Sequence, residues 1–283
     1  MFAMCKNLFQ KIFSAVLMLV ALSSCTSLFF YPQKNIVGTP DQIGINFENV
    51  SFPSSDGTLL TGWLVKANVP AAQRKGVVYF LHGNAENIST HFASVYWLPE
   101  QGYDVFLLDY RGYGESAGKP ALPEVFDDIE SGFVWLQKQY PPDQPFIFFG
   151  QSIGATMGIY WLAHNHDVSS HLNSIVLDAP FASYLAMVNK VLRQSWLTWL
   201  FAKPVSWCFS SRYDPINSTA ALPSNIPVLF FHSPDDEVVP FEFSEKVYSA
   251  INSPKTEVIT QGPHIATFNF PENRQALLKF LQR

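Results

Sequence analysis

A serine stands between two glycines in Gly150-Gln151-Ser152-Ile153-Gly154, the G-x-S-x-G pattern of a nucleophile elbow. The spacing has a steric cause: where a strand turns sharply into a helix, small flanking residues let the two chains pass. Such a turn presents the hydroxyl at the end of the strand and aims the following helix's N-terminus at it. A serine hydroxyl is a weak nucleophile at neutral pH, so it needs a base, and the base needs an orienting acid. His264, in Gly262-Pro263-His264, is the last histidine of the chain. It follows the last apolar run and precedes a C-terminal amphipathic stretch, and it is the expected base. The other histidines fit less well: His91 precedes the serine, His164, His166 and His171 cluster in a polar stretch, and His232 closes an apolar run. For the acid, Asp235, Asp236 and Glu237 are adjacent, and Asp178 follows an earlier apolar run. One of the three neighbours is expected to face His264 and the others to be solvated loop charges; composition does not choose between them. An oxyanion formed on attack needs two pre-aimed donors. The backbone N–H of Ile153, directly after the serine, is one candidate, and that of Asn84 in His82-Gly83-Asn84-Ala85 is the other.

These groups need a scaffold, and the texture of the chain supplies one. Ile45 to Phe52 and Leu59 to Val65 read as strands joined by the hairpin turn Ser54-Ser55-Asp56-Gly57. The runs Val77–Leu81, Val105–Leu108, Phe146–Phe149, Ile175–Leu177 and Val228–Phe231 are apolar throughout, and Glu257–Ile259 reads as a further strand. Continuous apolar strands are expected in a parallel sheet covered on both faces. Residues 124–139 place Val125, Ile129, Phe133 and Leu136 at helical spacing, with Asp127, Asp128 and Glu130 on other faces. Residues 153–163 and 272–283 read as further helices. The alternation predicts one α/β domain with a mostly parallel, doubly wound sheet and a leading antiparallel hairpin. That hairpin and the irregular spacing argue against a TIM barrel. An apolar and aromatic insert over about 181–214, including Leu185, Met187, Val191, Trp196, Trp199 and Trp207, suits a small helical cap. Its roles as pocket wall and as packing weigh equally, and membrane contact weighs less.

His82-Gly83-Asn84-Ala85-Glu86-Asn87, Asp109 to Ser116, Gly150 to Gly154, Asp236 to Phe241 and His264 occur in an order that resembles the α/β-hydrolase superfamily. The resemblance is strongest to its Bem46-like and ABHD13/ABHD17-like branch and covers residues 45–283. It implies the α/β-hydrolase fold and a serine hydrolase acting on a small-molecule ester or thioester, as esterases and acyl-protein thioesterases do. It also implies that Asp236, four residues after the histidine closing its strand, is the acid. The family usually has glycine where this sequence has Ser233 and Pro263. A serine peptidase, and a binding lipoprotein that keeps the fold without catalysis, are the alternatives. With no His-x-x-x-His cluster, Cys pair or glycine-rich dinucleotide turn, no metal or organic cofactor is expected.

At the N-terminus Lys6 and Lys11 precede an apolar run, Ile12 to Leu22, shorter than the roughly 20 residues of a membrane span. Leu22-Ser23-Ser24-Cys25 resembles the lipobox of bacterial lipoprotein signal peptides. That resemblance implies removal of residues 1–24, acylation of Cys25, and a tether over 25–44 leading to the hydrolase domain. Thr26, rather than Asp, after the cysteine leans toward the outer membrane, at its periplasmic face, so the membrane is an expected partner through the lipid. With Cys5 removed and Cys25 lipidated, Cys208 stands alone and no internal disulfide is expected. The 283 residues are 48% hydrophobic and 14% charged, enough to bury a large core. A net charge of −5 gives no basic field, which argues against nucleic-acid binding.

Overall fold

The protein is seen in a computed structural model that describes residues 25–193 and 211–282. The signal-like segment 1–24, Cys208, and Trp196, Trp199 and Trp207 of the insert lie outside the described residues. Strands β1 (Phe47–Pro53) and β2 (Leu59–Val65) pair antiparallel, as the hairpin turn between them requires. Their turn is closed by Gly57 N–H donating to Ser54 O (2.9 Å) and Thr58 N–H to Asp56 Oδ1 (2.9 Å). Six further strands follow: β3 (Gly76–Leu81), β4 (Tyr103–Asp109), β5 (Phe146–Gln151), β6 (Leu172–Asp178), β7 (Val228–His232) and β8 (Lys255–Ile259). The sheet order is β8-β7-β6-β5-β3-β4-β2-β1, parallel from β8 to β4. β2 joins β4 antiparallel and brings in the hairpin.

Side chains of an extended strand alternate between its faces, and here both faces are dry. Tyr79, Phe106, Phe148, Leu177 and Phe230 contribute to one buried cluster, and their neighbours Phe80, Leu107, Phe149, Val176 and Phe231 to another. Helices α1 (Glu124–Gln137) and α2 (Ile153–His164) cover the first face. The segment from Ile88 to Leu98 and helix α5 (Pro271–Leu281), through Leu277 and Phe280, cover the second. Asp128, read as lying off the apolar stripe of α1, does not face solvent. It is fully buried on α1 because Arg111 reaches it with Nε and Nη2 (2.9 and 2.8 Å) and Ser54 Oγ donates to it (2.8 Å), linking helix, loop and hairpin.

Between β6 and β7 lies helix α3 (Tyr184–Arg193), the described part of the expected cap. Ser183 Oγ accepts from Ala186 N–H (3.3 Å) and Asp214 from Tyr184 N–H (2.9 Å), so side chains satisfy the donors of its first turn. Helix α4 (Phe241–Ala250) follows β7. The stretch read as a tether is not irregular throughout. Cys25–Phe29 form a 3-10 turn and Tyr31–Pro32 pair in parallel with Ala85–Glu86, so this stretch is docked on the domain.

Candidate active site

The chain leaves β3 toward β4 on one side, whereas β5 lies on the other, so the sheet has its switch point between the ends of β3 and β5. Open α/β sheets bind ligands outside the carboxyl ends of their strands at this point. The loop after β3 holds Asn84 and the turn after β5 holds Ser152. Ser152 has φ 54° and ψ −119°, a conformation unfavourable for a side-chain-bearing residue. The turn survives because its neighbours are small: a Cβ on Gly154 would lie 2.2 Å from Leu81 O, and one on Gly150 would lie 2.5 Å from Ala155 Cα. Ser152 N–H donates to Asp178 O (2.8 Å), pinning the turn to the end of β6. Among the described residues, the other non-glycine positions with left-handed φ are Glu86, Ala179 and Ile265. All follow the carboxyl ends of strands, where strain worth about 1–3 kcal/mol each is offset by surrounding bonds.

His264 Nε2 lies 2.9 Å from Ser152 Oγ, and its Nδ1 lies 2.7 Å from Asp236 Oδ2. The structure thus brings together three residues separated by up to 112 positions in sequence. Asp236 Oδ1 accepts from the N–H groups of Val238 (2.9 Å) and Val239 (2.8 Å), which leaves Oδ2 to the imidazole. Burial pushes the Asp236 carboxyl up, but hydrogen bonds from His232 and His264 and the Val239 N–H outweigh it, holding the group well below the usual carboxylate range. A carboxylate can only accept, so Nδ1 donates to it, and in the neutral imidazole Nε2 is then left as an acceptor facing the serine.

The neighbours of Asp236 are not merely solvated charges, as the sequence suggested. Asp235 Oδ2 accepts from Gly262 N–H (3.2 Å) and Glu237 Oε2 from His264 N–H (3.2 Å). All three consecutive carboxylates hold the histidine loop, because that loop turns with its N–H groups toward them. Ser233 adds a fourth tie: its Oγ donates to Gly262 O (2.8 Å) and accepts from Asp235 N–H (3.1 Å). Asp178, the remaining acid candidate, does not meet the imidazole. Its carboxyl is buried, takes Gln151 Nε2–H (2.8 Å) and Thr267 Oγ1–H (2.8 Å), and is pushed up by burial despite those bonds. Gln151, Thr267 and Ser233 were missed as site residues; their types are common in loops, and nothing in their spacing announces the pairing.

Ile153 is the first residue of α2, where N–H groups have no intrahelical partner, and it directly follows Ser152. Asn84 and Ser152 line one cavity of about 650 Å³, whose walls include Phe29, Met187, Val188 and Val191. Part of the insert therefore forms the wall of this cavity, and Lys190 Nζ ties it to the acid loop at Glu237 O (2.8 Å) and Val238 O (2.6 Å). Under the Asn84 loop, His82 and Asp109 are buried together, Nε2 to Oδ1 3.4 Å. Burial pushes Asp109 up to about 7 and pushes His82 well down.

The eight-stranded sheet, its order and the elbow after β5 define an α/β-hydrolase fold. Residues 72–221 match the protein family described as "Serine aminopeptidase, S33". YfhR, an uncharacterized protein of Escherichia coli (strain K12), is 33% identical over 246 residues, 86% of this chain and 81% of that protein. The chain belongs to this family of the α/β-hydrolase superfamily, and is a hydrolase by that membership. The lysophosphatidylserine lipase ABHD12 of Danio rerio is 26% identical over 179 residues, 61% of this chain and 46% of that protein. Among solved structures, the Pyrococcus furiosus esterase Pf2001 matches with a TM-score of 0.69 at 23% identity, over 89% of this chain and 95% of that one. At that identity the likeness establishes the fold.

Proposed function

We propose that this chain is a serine hydrolase that cleaves a carboxylic ester or thioester through an acyl-enzyme on Ser152. The observation that carries this reading is the unbroken relay from Ser152 Oγ to His264 to Asp236, opening on a cavity with apolar walls. His264 Nε2 takes the Oγ proton as Oγ attacks the carbonyl carbon, and Asp236 stabilises the imidazolium that forms. The N–H groups of Asn84 and Ile153 receive the oxyanion. Collapse of the tetrahedral intermediate expels the alcohol or thiol with the proton from His264. Water, deprotonated by the same imidazole, then releases the acid and restores Ser152. The apolar wall suits the acyl chain. A fluorophosphonate probe tests the reading: the folded protein is expected to form an adduct that Ser152→Ala lacks. An unlabelled parent protein would overturn it, and p-nitrophenyl esters of increasing length then map the acyl pocket.

A peptidase reading draws on the family's description and on Glu86 and Glu237, two carboxylates at the cavity that suit a substrate α-ammonium. Hydrolysis of aminoacyl p-nitroanilides faster than esters would select it.

We also propose that Cys25 is acylated after cleavage of residues 1–24, and that the enzyme is held on the bacterial envelope, at the outer membrane. The apolar run ending in Leu22-Ser23-Ser24-Cys25 supports this reading. Labelled palmitate is expected to enter the parent protein and not Cys25→Ala; equal labelling would overturn it.

A further inference from the structure

Asn84 has a side chain that is committed on every side. Its Oδ1 accepts from Tyr31 N–H (3.1 Å) and Tyr113 Oη–H (3.0 Å), and its Nδ2 donates to Phe29 O (2.7 Å). Neighbouring positions repeat the pattern. Gln33 N–H donates to Glu86 O (3.1 Å), and Asn87 Nδ2 donates to Gln33 O (3.1 Å) and Asn35 O (2.8 Å). Val37 N–H donates to Ser89 Oγ (3.0 Å). The whole loop after β3 is thus tied from outside by one stretch near the N-terminus. Phe29 packs against Phe181 and Tyr184, with ring centroids 5.7 and 5.2 Å apart, and lines the cavity that contains Ser152.

A loop leaving a strand end has no ladder partner of its own, and Glu86 within it is held at φ 68°. The Tyr31–Pro32 strand pair and the side-chain amides supply the missing bonds. We propose that residues Phe29–Val37 form a strap that belongs to the active site. Through Asn84 the strap positions the oxyanion loop, and through Phe29 it sets the length of acyl chain accepted. This inference rests on the ester-hydrolase reading above. Asparagine suits position 84 because one short side chain must accept from one strap residue and donate to another.

The test uses the full-length protein with p-nitrophenyl acetate and octanoate, each variant being checked by circular dichroism and a melting transition. Tyr31→Pro removes the N–H that Asn84 accepts, and Asn84→Ala removes the acceptor. Each is expected to lower kcat by about 10- to 100-fold with KM within about threefold, since donors displaced by a fraction of an ångström lose transition-state stabilisation. The double variant is expected to be no slower than Asn84→Ala, because the bond that Tyr31→Pro deletes is already among those lost with the Asn84 side chain. Phe29→Ala is expected to change the ratio of octanoate to acetate turnover by about tenfold. Parental kcat in Asn84→Ala, additive losses in the double variant, or an unchanged chain-length ratio would overturn the strap. If Tyr31→Pro does not fold, Asn87→Ala, which cuts the bonds to Gln33 O and Asn35 O of the strap, replaces it and is expected to lower kcat likewise. A parent protein that fluorophosphonate does not label sinks the hydrolase reading instead, so the two failures are distinguishable.

Discussion

Three aspartates stand at or just beyond the carboxyl ends of parallel strands, and they divide into two regions. Asp236, after β7, has two backbone N–H groups on one oxygen and two imidazoles near the other, and it holds its charge. Asp178 and Asp109, at the ends of β6 and β4, lie beneath the site with fewer donors, and burial raises both. Topological position is similar for all three. What separates them is the number of donors set against the desolvation of the carboxylate. Asp236 accepts from the imidazole of His264, and the two with raised values brace the loops that hold Ser152 and Asn84.

That division can be broken most directly at Asp236. Asp236→Asn is expected to lower kcat by about 10³- to 10⁴-fold, since the amide offers Nδ1 the wrong partner or the wrong tautomer. Asp235→Asn removes charge from the bond to Gly262 N–H alone and is expected to stay within about tenfold of the parent. The opposite ranking, read from p-nitrophenyl ester turnover, would move the acid to Asp235. Next in size is Asp178→Asn. The amide keeps an acceptor for Gln151 Nε2–H but sets an N–H group against Thr267 Oγ1, whose hydroxyl must turn from donor to acceptor, so the variant is expected to lose about 1–2 kcal/mol of stability in urea unfolding. Its kcat should fall less than about tenfold, because Asp178 touches no ring nitrogen of His264. A loss as deep as that of Asp236→Asn would erase the distinction between the regions. Ser233→Gly, which cuts one hydrogen bond to the histidine loop and one within the acid loop, should cost about 1 kcal/mol by the same measurement.

The sheet was legible because β3 to β7 are apolar on both faces, and few other structures produce such runs. Ser152 and His264 were legible because steric need fixes the glycines around one and chain order the place of the other. Asp236 was not separable from Asp235 and Glu237 by residue type; family resemblance pointed to it, and its geometry turns on which loop N–H groups face which oxygen. The stretch 25–44 read as a tether because its bonds run to side chains of Asn84, Asn87 and Ser89 more than 50 residues away. No local periodicity records a partner at that distance. The same holds for Asp128, whose burial depends on Arg111, a residue in another loop.

The smallest effect sharpens the contrast through pH. Asp109 has an ordinary value of 3.8 and is pushed up to about 7 in the fold, first by burial and further by Glu115, against Ile88 N–H and Lys34. Between those values the folded protein keeps a proton that the unfolded chain has lost, so this group makes stability fall as pH rises across the window. Asp109→Asn carries no such proton. Its unfolding midpoint, compared with the parent's at each pH, should therefore rise relative to the parent from about pH 5 to about pH 7. His82, pushed down by burial, contributes the opposite slope, and with its Nε2 3.4 Å from Asp109 Oδ1 the comparison reads the two groups as a pair. Asp236→Asn should give the reverse pattern. Its parental carboxylate has a lowered value, so the stability it contributes is present above the ordinary carboxylate range and is lost only as pH falls through the folded value. Two substitutions of the same kind, at the ends of two strands of one sheet, should then tilt the pH profile in opposite directions. Parallel tilts would mean that donor count does not decide which of these acids is charged.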